Sequence, residues 1–480
     1  MKKTLPSLLA LVCIVVASQM MSCTKTTTTV SYEPVRTNEP GAHSPYARFR
    51  YRPNQIVVMF KSAPSAADLT ARKVATGIDT TKITIKKCLS CDSLIQLWEG
   101  PNIESTIQAA GIRSGSSTPT DGHGEDGLAY YSLNFVLDIP TDSLPNYADF
   151  NYTNVKKLKN EKGNKEVVRI AVLDTGIDTI KTIGTSYLWT NQREASTAEP
   201  GGDEDENCYF DDRFGWNFIE NNDNVLDNNK GHHGTLVSLY IINQFKKSTT
   251  KTVELMVLKT HDENGSGDLF KNICAIHYAK EKGAQIINAS WGFYYYHKNA
   301  HPYLDFLITK VLRDKGILFV TAAGNKMDKM DDFARDAYED SHPGVTIPYS
   351  YLRNLEYHNF YPACLSKKDN NVVTVTTANN KRVSKTQNYS EIFVDLGAIP
   401  DDPGGMRFRV PFDPTTTISG SSFATAIATG RIGAFLHNSS YQSNIDKSII
   451  LADMEAAGLI TKSDLLEPDH IRLGRITSQD

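Results

Sequence analysis

Apolar residues follow two alternating patterns along this chain from residue 167 onward. Continuous apolar runs of strand length are separated by stretches in which apolar residues recur every three or four positions. The runs are VVRIAVL (167–173), a run at 253–258, AQIINAS (284–290), ILFVTAA (317–323) and VVTVTT (372–377). Runs of this kind are typical of strands buried on both faces of a parallel sheet. Residues 167–465 are therefore predicted to form an α/β domain with a doubly wound, mostly parallel sheet.

Helices are predicted between these strands, over 235–245, 268–282 and 422–436. The periodicity is clearest between Tyr303 and Leu312, where the apolar residues recur at helical spacing. Gly316 is placed to end that helix. The sequence shows no internal repeat.

Residues 54–140 carry a different pattern and are predicted to form a separate, small α+β domain. The strand-like runs QIVVMF and YYSLNFVLDIP begin and end it, and a helix is expected over 66–76. GIRSGSSTPTDGHGEDG (111–127) is typical of an exposed loop. The polar linker 141–166 contains the basic run KKLKNEKGNK, which we interpret as a solvated, cleavable connector. Residues 466–480 are assigned to a C-terminal tail.

The N-terminus has the pattern of a targeting segment. Lys2 and Lys3 precede the apolar run LLALVCIVVA, which is too short to span a bilayer. Residues 1–23 end in Met-Met-Ser-Cys, which resembles the lipobox of a bacterial lipoprotein, so Cys23 is predicted to be acylated; a plain secretory signal is the alternative. Residues 24–53 are expected to be a flexible tether. The protein is thus predicted to be extracytoplasmic, in a bacterial cell envelope, with a lipid as its only membrane attachment.

Composition narrows the range of partners. Hydrophobic residues make up 40% of the chain and charged residues 22%, an ordinary globular composition. Lys and Arg number 51 against 55 Asp and Glu, so bulk electrostatics do not favour nucleic acid as a partner. An odd number of cysteines follows residue 23: Cys88, Cys91, Cys208, Cys274 and Cys364. Cys88 and Cys91 form a CxxC motif, which is compatible with a short disulfide and is a weak zinc signal.

Four short segments at predicted element boundaries carry candidate chemistry. Asp174 in LDTGID and Asn325 in TAAGN follow strands, while His233 in GHHGTLV and Ser422 in SGSSFA begin helices. In an open α/β sheet such residues meet outside the carboxyl ends of the strands. A serine hydroxyl needs an imidazole to accept its proton, and the imidazole needs a carboxylate to orient it. The Asn325 amide and the Ser422 backbone N–H are suited to stabilise an oxyanion.

In this order of Asp, His, Asn and Ser, the motifs resemble those of the subtilisin-like serine peptidases, or subtilases, over residues 167–436. The resemblance implies a serine endopeptidase that works through an acyl-enzyme and needs no cofactor for its chemistry. Asp174 would orient His233, which would act as general base and then as general acid. Ser422 would be the nucleophile and Asn325 an oxyanion donor. Polypeptides are the substrates that the resemblance implies.

Some positions depart from the family pattern. Leu236 stands where a second His is usual, Ser421 where Thr is commoner, and Ala426 where Pro is usual. None of these changes removes a group with a proton-transfer role. His232 precedes the family's histidine position, so we interpret it as a bystander.

The resemblance extends to the binding of substrate and to the N-terminal domain. Ser290, Trp291 and Gly292 match the segment that pairs with an extended substrate and flanks the pocket for the residue before the scissile bond. The alternative is a strand end with a buried Trp. Residues 54–140 resemble a propeptide, which assists folding and blocks the cleft until it is cut, as in a zymogen. A permanent accessory domain is the alternative.

An acidic insertion precedes the histidine motif. Asp203, Asp205, Asn207, the Tyr209 carbonyl and Asp211 place oxygen ligands at alternate positions, as in the front half of a calcium loop. Cys208 stands where such loops prefer Gly. The sequence therefore predicts a structural calcium site, with a solvated acidic loop as the alternative.

Two other functions compete with the peptidase. A catalytically silent subtilase-like domain would bind peptides at the cell surface, but the candidate catalytic residues are all present. A serine hydrolase of other acyl substrates would use the same residues, although the strand-pairing segment favours peptides. Substrate preference and oligomeric state do not follow from the sequence.

Overall fold

The computed structural model describes residues 50–75, 78, 80–88, 94–107, 123–139, 145, 158–195, 201–295, 301–347, 349–411, 413–462 and 471–478. The predicted signal segment, the predicted acylation site Cys23 and most of the predicted tether lie outside these residues. Most of the predicted 111–127 loop and of the 141–166 linker also lies outside them.

The first part of the chain forms an antiparallel sheet with the strand order β2-β3-β1-β5-β4. Its elements are β1 (Tyr51–Phe60), α1 (Ala66–Ala75), β2 (Thr84–Lys87), β3 (Ile95–Glu99), β4 (His123–Glu125) and β5 (Ala129–Asp138). The expectation of an exposed loop is wrong at its end, because β4 pairs with β5 and buries His123. Residues 50–139 are called the N-terminal module below.

The rest of the chain is built on a nine-stranded sheet. Its strands, and those of smaller pairings, are β6 (Glu166–Asp174), β7 (Gly215–Asn217), β8 (Lys251–Lys259), β9 (Ser266–Asp268), β10 (Ile286–Ala289), β11 (Phe293–Tyr294), β12 (Leu318–Ala322), β13 (Phe360–Tyr361), β14 (Val372–Thr377), β15 (Leu396–Ala398), β16 (Phe408–Val410), β17 (Asp413–Ile418), β18 (Ile460–Lys462) and β19 (Gly474–Ile476). The order is β18-β19-β15-β14-β12-β10-β6-β8-β7, and only the pairing of β18 with β19 is antiparallel among the described residues. The predicted fold class is confirmed.

Helices connect these strands: α2 (Gln192–Ala195), α3 (His233–Phe245), α4 (Leu269–Glu281), α5 (Pro302–Asp305) with a π-helix (Phe306–Leu312), α6 (Asp328–Ser341), α7 (Tyr349–Arg353), α8 (Ser421–Phe435) and α9 (Lys447–Ala456). Short 3₁₀ turns lie at Thr80–Lys82, Thr185–Tyr187, Ala363–Leu365 and Asn438–Ser440. In the part of the chain that the structure describes, no helix is long and apolar enough to cross a membrane.

The main sheet separates two hydrophobic cores. Along β6, Ala171 and Leu173 belong to one core, while Ile170 and Val172 belong to the other, as the period of two in a strand requires. The first core continues without a break into the N-terminal module and includes α4. The second core contains α3 and α8, which approach closely at Gly430. A Cβ atom there would lie 2.7 Å from the carbonyl oxygen of Ile241.

A disulfide joins the N-terminal module to the main domain. Cys88, after β2, is bonded to Cys274 of α4, at a sequence separation of 186 residues. The expectation of a short disulfide within the CxxC motif is therefore wrong for Cys88. Cys208 is also disulfide-bonded, whereas Cys364 is a free, buried thiol. The module is thus attached both by the backbone and by a bond to α4.

Candidate active site

The predicted catalytic residues lie at the carboxyl edge of the main sheet. Asp174 is the last residue of β6, His233 the first of α3, and Ser422 lies in the first turn of α8. Their exposed fractions are 1%, 2% and 3%. The ring of Phe423, the residue after Ser422, lies 5.3 Å from the ring of His233. Three residues far apart in the sequence therefore share one sheltered site.

His233 and Asp174 are in direct contact. Nδ1 of His233 lies 2.8 Å from Oδ1 and 3.0 Å from Oδ2 of Asp174. The backbone N–H of Thr175 donates to the same carboxylate at 2.8 Å, which fixes its orientation. Because Nδ1 is committed to the carboxylate, Nε2 is the ring nitrogen left to face a nucleophile.

The start of α3 is pressed against the strand that carries Asp174. His232 has a left-handed backbone with φ of 47°, and the Asn229 side chain accepts from the N–H of His233 at 3.4 Å. Gly234 is required next, because a Cβ atom there would lie 2.4 Å from the carbonyl oxygen of Gly176. This close approach brings the His233 ring to the end of β6.

Ser422 is held by Ser290, the first residue of the predicted substrate segment. Ser422 Oγ donates to the Ser290 carbonyl oxygen at 3.1 Å, and Ser290 Oγ donates to the Ser422 carbonyl oxygen at 3.1 Å. Among the described residues, the Ser422 hydroxyl is therefore hydrogen-bonded to the Ser290 carbonyl oxygen and not to the His233 ring. Catalytic hydrogen bonds are often loose without substrate and tighten in the reacting complex. A rotation about χ1 of Ser422 would redirect the hydroxyl.

Asn325 lies beside the start of α8. Its Oδ1 accepts from the backbone N–H of Ser421 at 3.0 Å and from Ser421 Oγ at 3.1 Å. With the oxygen committed, Nδ2 is the end of the amide that is left to donate. Ser422 lies in the first turn of α8, where backbone N–H groups lack intrahelical partners. Two donors suited to an oxyanion therefore flank the Ser422 hydroxyl.

A buried network that sequence reasoning missed supports the backbone before Asn325. The Tyr294 hydroxyl donates to the Asn325 carbonyl oxygen at 2.9 Å. Asn388 Nδ2 donates to the Ala323 carbonyl oxygen at 2.9 Å, and Arg353 donates to Asn388 Oδ1 at 3.1 Å. Burial raises the pKa of Tyr294, so its hydroxyl stays protonated as a donor. Tyr294 follows the predicted substrate segment closely in sequence, which is the only signal that pointed to it.

The end of the N-terminal module, residues 136–139, runs along the predicted substrate segment and is called the arm below. Asp138, the last residue of β5, forms an antiparallel bridge with Gly292, while β5 also pairs with β9 on its other side. The N–H of Ile139 donates to the Gly265 carbonyl oxygen at 2.8 Å. Leu137 and Ile139 are buried, and Asp138 between them is paired with Arg50 of the module. The arm therefore occupies the groove between β9 and Gly292 with alternate side chains inward.

The acidic insertion is arranged differently from the expected calcium loop. Glu194, Asp203 and Asp205 each offer an oxygen, all within 4.8 Å of one another. Asn207 Oδ1 instead accepts from Tyr209 N at 2.6 Å, and Asp211 Oδ2 accepts from Gly201 N at 2.7 Å. These two predicted ligands are therefore engaged within the loop, as is Asp203, whose oxygens accept from Asn207 N at 2.9 Å and Cys208 N at 2.8 Å. Glu194 lies outside the predicted loop and was missed because it precedes it in sequence.

Two buried oxygens in this cluster, Glu194 Oε2 and Asp205 Oδ1, have no hydrogen-bond donor among the described residues. Burial, together with the neighbouring Glu204 and Asp212, raises the pKa of Glu194 to about 7. Crowded, undersaturated carboxylates of this kind suit a cation with oxygen ligands. Lys282, which is paired with Asp205 and lies 3.3 Å from Asp212, already offsets part of the charge.

The fold and this carboxyl-edge arrangement define the subtilisin-like class of α/β proteins. The family model described as the subtilase family matches residues 165–452. The chain therefore belongs to the subtilase family, which confirms the resemblance found in the sequence.

The chain is also similar in sequence to individual proteins described as subtilisin-like proteases. The chain is 30% identical over 228 residues to subtilisin-like protease 1 of Plasmodium falciparum (isolate 3D7), an alignment that covers 46% of this chain and 30% of that protein. It is 29% identical over 275 residues to subtilisin-like protease 1 of Plasmodium vivax, covering 54% of this chain and 39% of that protein. The chain thus aligns with well under half the length of either relative.

A solved structure supports the fold. The crystal structure of fervidolysin from Fervidobacterium pennivorans, described as a keratinolytic enzyme related to subtilisin, matches with a TM-score of 0.50 and 14% sequence identity. The match covers 89% of this chain and 60% of that chain. At this identity the likeness concerns the fold alone.

Proposed function

We propose that this protein is a serine endopeptidase that hydrolyses peptide bonds through an acyl-enzyme, with Asp174, His233 and Ser422 as its triad. The observation that carries the proposal is the buried contact of 2.8 Å between His233 Nδ1 and Asp174 beside Ser422. Membership of the subtilase family supports the same reaction class. Extended strand pairing along Ser290–Gly292 suits a polypeptide substrate.

The reaction begins when Ser422 Oγ turns from the Ser290 carbonyl toward Nε2 of His233. His233 takes the hydroxyl proton as Ser422 Oγ bonds to the substrate carbonyl carbon, and Asp174 stabilises the resulting imidazolium. Asn325 Nδ2 and the Ser422 N–H hold the oxyanion. His233 then protonates the leaving amine, and a water molecule activated by His233 hydrolyses the ester to free Ser422.

The turnover of a peptide substrate tests this proposal. Ser422→Ala is expected to fold normally and to lose nearly all turnover. Asn325→Ala should lose about 10²-fold to 10³-fold in kcat, as removal of one oxyanion donor typically does. Measurement of kcat with both variants, alongside thermal unfolding to check their folding, decides the matter. Retained turnover in Ser422→Ala would show that another residue is the nucleophile.

We propose that the N-terminal module is an inhibitor of this site. The arm ending at Asp138 and Ile139 takes the pairing positions that an extended substrate would use beside Gly292. Cleavage in the 141–166 linker would not release the module, because Cys88 remains bonded to Cys274. The module would then stay as a tethered inhibitor at high effective concentration.

We propose that the acidic insertion binds structural calcium through Glu194, Asp203 and Asp205. The unsatisfied oxygens of Glu194 and Asp205 support this ligand set over the one expected from spacing. A solvated acidic loop neutralised by Lys282 is the alternative. The ion would hold the loop to α2 and would take no part in the chemistry.

The proposal for the cellular location rests on the N-terminal sequence. Acylation of Cys23 would hold the protein at a bacterial envelope membrane outside the cytoplasm, although Cys23 lies outside the described residues. Membrane fractionation of wild type and Cys23→Ser tests this. A variant that stays in the membrane fraction would contradict lipid anchoring through Cys23.

A further inference from the structure

The place of one substrate side chain follows from the groups described above, and this inference rests on the proposed peptidase mechanism. The carbonyl carbon of the residue before the scissile bond must reach Ser422 Oγ, and its oxygen must reach Asn325 Nδ2. The backbone of that residue runs along the segment 290–292. Its side chain therefore enters the space between the segments 290–292 and 323–325, which we call the specificity pocket.

The ring of Phe360 lies in this pocket. A Cβ atom built on Gly292 would lie 2.3 Å from Cε1 and 2.4 Å from Cζ of Phe360. A Cβ atom built on Gly324, on the opposite wall, would lie 2.9 Å from Cδ1 and Cε1 of the same ring. One aromatic ring thus contacts both walls, at the two positions where the walls carry no side chain.

Phe360 is held firmly in that place. It belongs to β13, and its partner in the antiparallel pairing with β11 is Tyr294, two residues after Gly292. Its backbone N–H donates to Cys364 Sγ at 3.3 Å, and its ring meets the Tyr294 ring edge-on at 5.0 Å. The residue is only 4% exposed. The strand pairing thus fixes the backbone of Phe360, and the contact with Tyr294 supports its ring.

We propose that Phe360 restricts the specificity pocket to small side chains, so that the enzyme cleaves after Gly, Ala or Ser and rejects aromatic residues. A substrate Phe would compete with the Phe360 ring for the same volume, in an interior that is already close-packed. A methyl or hydroxymethyl group would need much less of that volume than an aromatic ring.

Two peptides that differ only in Ala or Phe before the scissile bond provide the test, with activated enzyme. Wild type is expected to favour the Ala peptide by about 100-fold in kcat/KM, within the range that pocket size typically supplies. Phe360→Ala should raise kcat/KM for the Phe peptide by about 100-fold while keeping that for the Ala peptide within about tenfold. Phe360→Leu, a smaller change to the core, should shift the ratio in the same direction.

The control is Phe319→Ala, which removes an equally buried aromatic ring from β12 without opening the pocket. Its ratio of kcat/KM for the Phe peptide to kcat/KM for the Ala peptide should match that of wild type. Equal cleavage of both peptides by wild type would overturn the inference, as would an unchanged ratio in both Phe360 variants. A wild type that cleaves neither peptide and fails to react at Ser422 would refute the proposed peptidase function itself.

Discussion

At the scale of single residues, the backbone around Asn325, the proposed oxyanion donor, is held by a buried network of side chains. The Tyr294 hydroxyl holds the Asn325 carbonyl, and Arg353, which is paired with buried Asp331, holds Asn388 behind it. Catalysis by an oxyanion donor depends on its preorganised position. Tyr294 is therefore expected to act as a positioning residue for Asn325.

Replacement of Tyr294 by Phe tests this role. Loss of the hydroxyl leaves the Asn325 carbonyl without its donor, so kcat should fall about tenfold with little change in KM, because small misplacements are costly. The double variant Y294F/N325A should be no slower than N325A alone. Tyr240→Phe is the matched control, since that hydroxyl donates to the Arg409 carbonyl oxygen at 2.7 Å, away from Asn325. Additive losses in the double variant would contradict the positioning role.

The residue types at the site were predictable from the sequence, but their partners were not. Asp174 and Asn325 follow buried strands, and the sheet topology alone brings such residues to one edge. The contact of Ser422 with Ser290 depends on a side-chain torsion that no pattern encodes. Tyr294, Arg353 and the ring of Phe360 reach the site from segments whose paths depend on tertiary packing.

At the scale of elements, the acidic insertion shows how a loop can bury its charges. Glu194 of α2 and Asp205 are brought together with Asp203, and two of their oxygens find no donor in the part of the chain that the structure describes. Spacing within the loop did not point to Glu194, and the predicted ligands Asn207 and Asp211 accept from the backbone of the loop. A bound cation would satisfy the remaining oxygens and stabilise the folded state.

Removal of calcium should therefore lower the melting temperature. A ligand present at one hundred times its Kd stabilises the native state by about 2.7 kcal/mol, so a chelator should reduce Tm by several degrees in the Ser422→Ala background. Asp205→Asn should weaken this response. Asp211→Asn, the control, should keep it, because that side chain serves the loop. An unchanged melting curve of the Ser422→Ala protein with chelator would exclude the site.

Long elements were predicted better than short ones. The buried strands β6, β12 and β14 and the helices α3, α4 and α8 follow runs or periodicities long enough to be distinctive. The three-residue strands β4, β7 and β9 carry no such pattern, because neighbouring strands determine them. Helix α6 was not predicted either, because its sequence DKMDDFARDAYEDS is mostly polar.

At the scale of the whole molecule, the N-terminal module and the main domain share a hydrophobic core and a disulfide. A bond between Cys88 and Cys274 was not deducible, since cysteine spacing does not determine connectivity. The consequence is that the two parts stay joined when the linker is cut. Activation would then require the arm to leave the groove, or a second cleavage, rather than dissociation of the module.

Limited trypsin digestion of the Ser422→Ala protein at the basic 156–165 run tests whether the disulfide holds the module to the main domain. The fragment that carries Cys88 should migrate with the main domain on a non-reducing gel and separate from it after reduction. Cys208 is disulfide-bonded too, so the control is C208S/C274S, whose fragments should separate without reductant. If the fragments of the protein with all its cysteines in place separate on a non-reducing gel, a covalent link between module and main domain is ruled out.

The most direct test of the proposed catalytic triad is reaction of the activated protein with a fluorophosphonate probe, followed by mapping of the modified residue by mass spectrometry. We expect modification at Ser422, its loss in Ser422→Ala, and strong reduction when His233 is replaced by Ala, because the hydroxyl then lacks its base. Absence of labelling in a folded protein whose arm has been removed from the groove would contradict the proposed triad, and the domain would then be a silent binder of peptides.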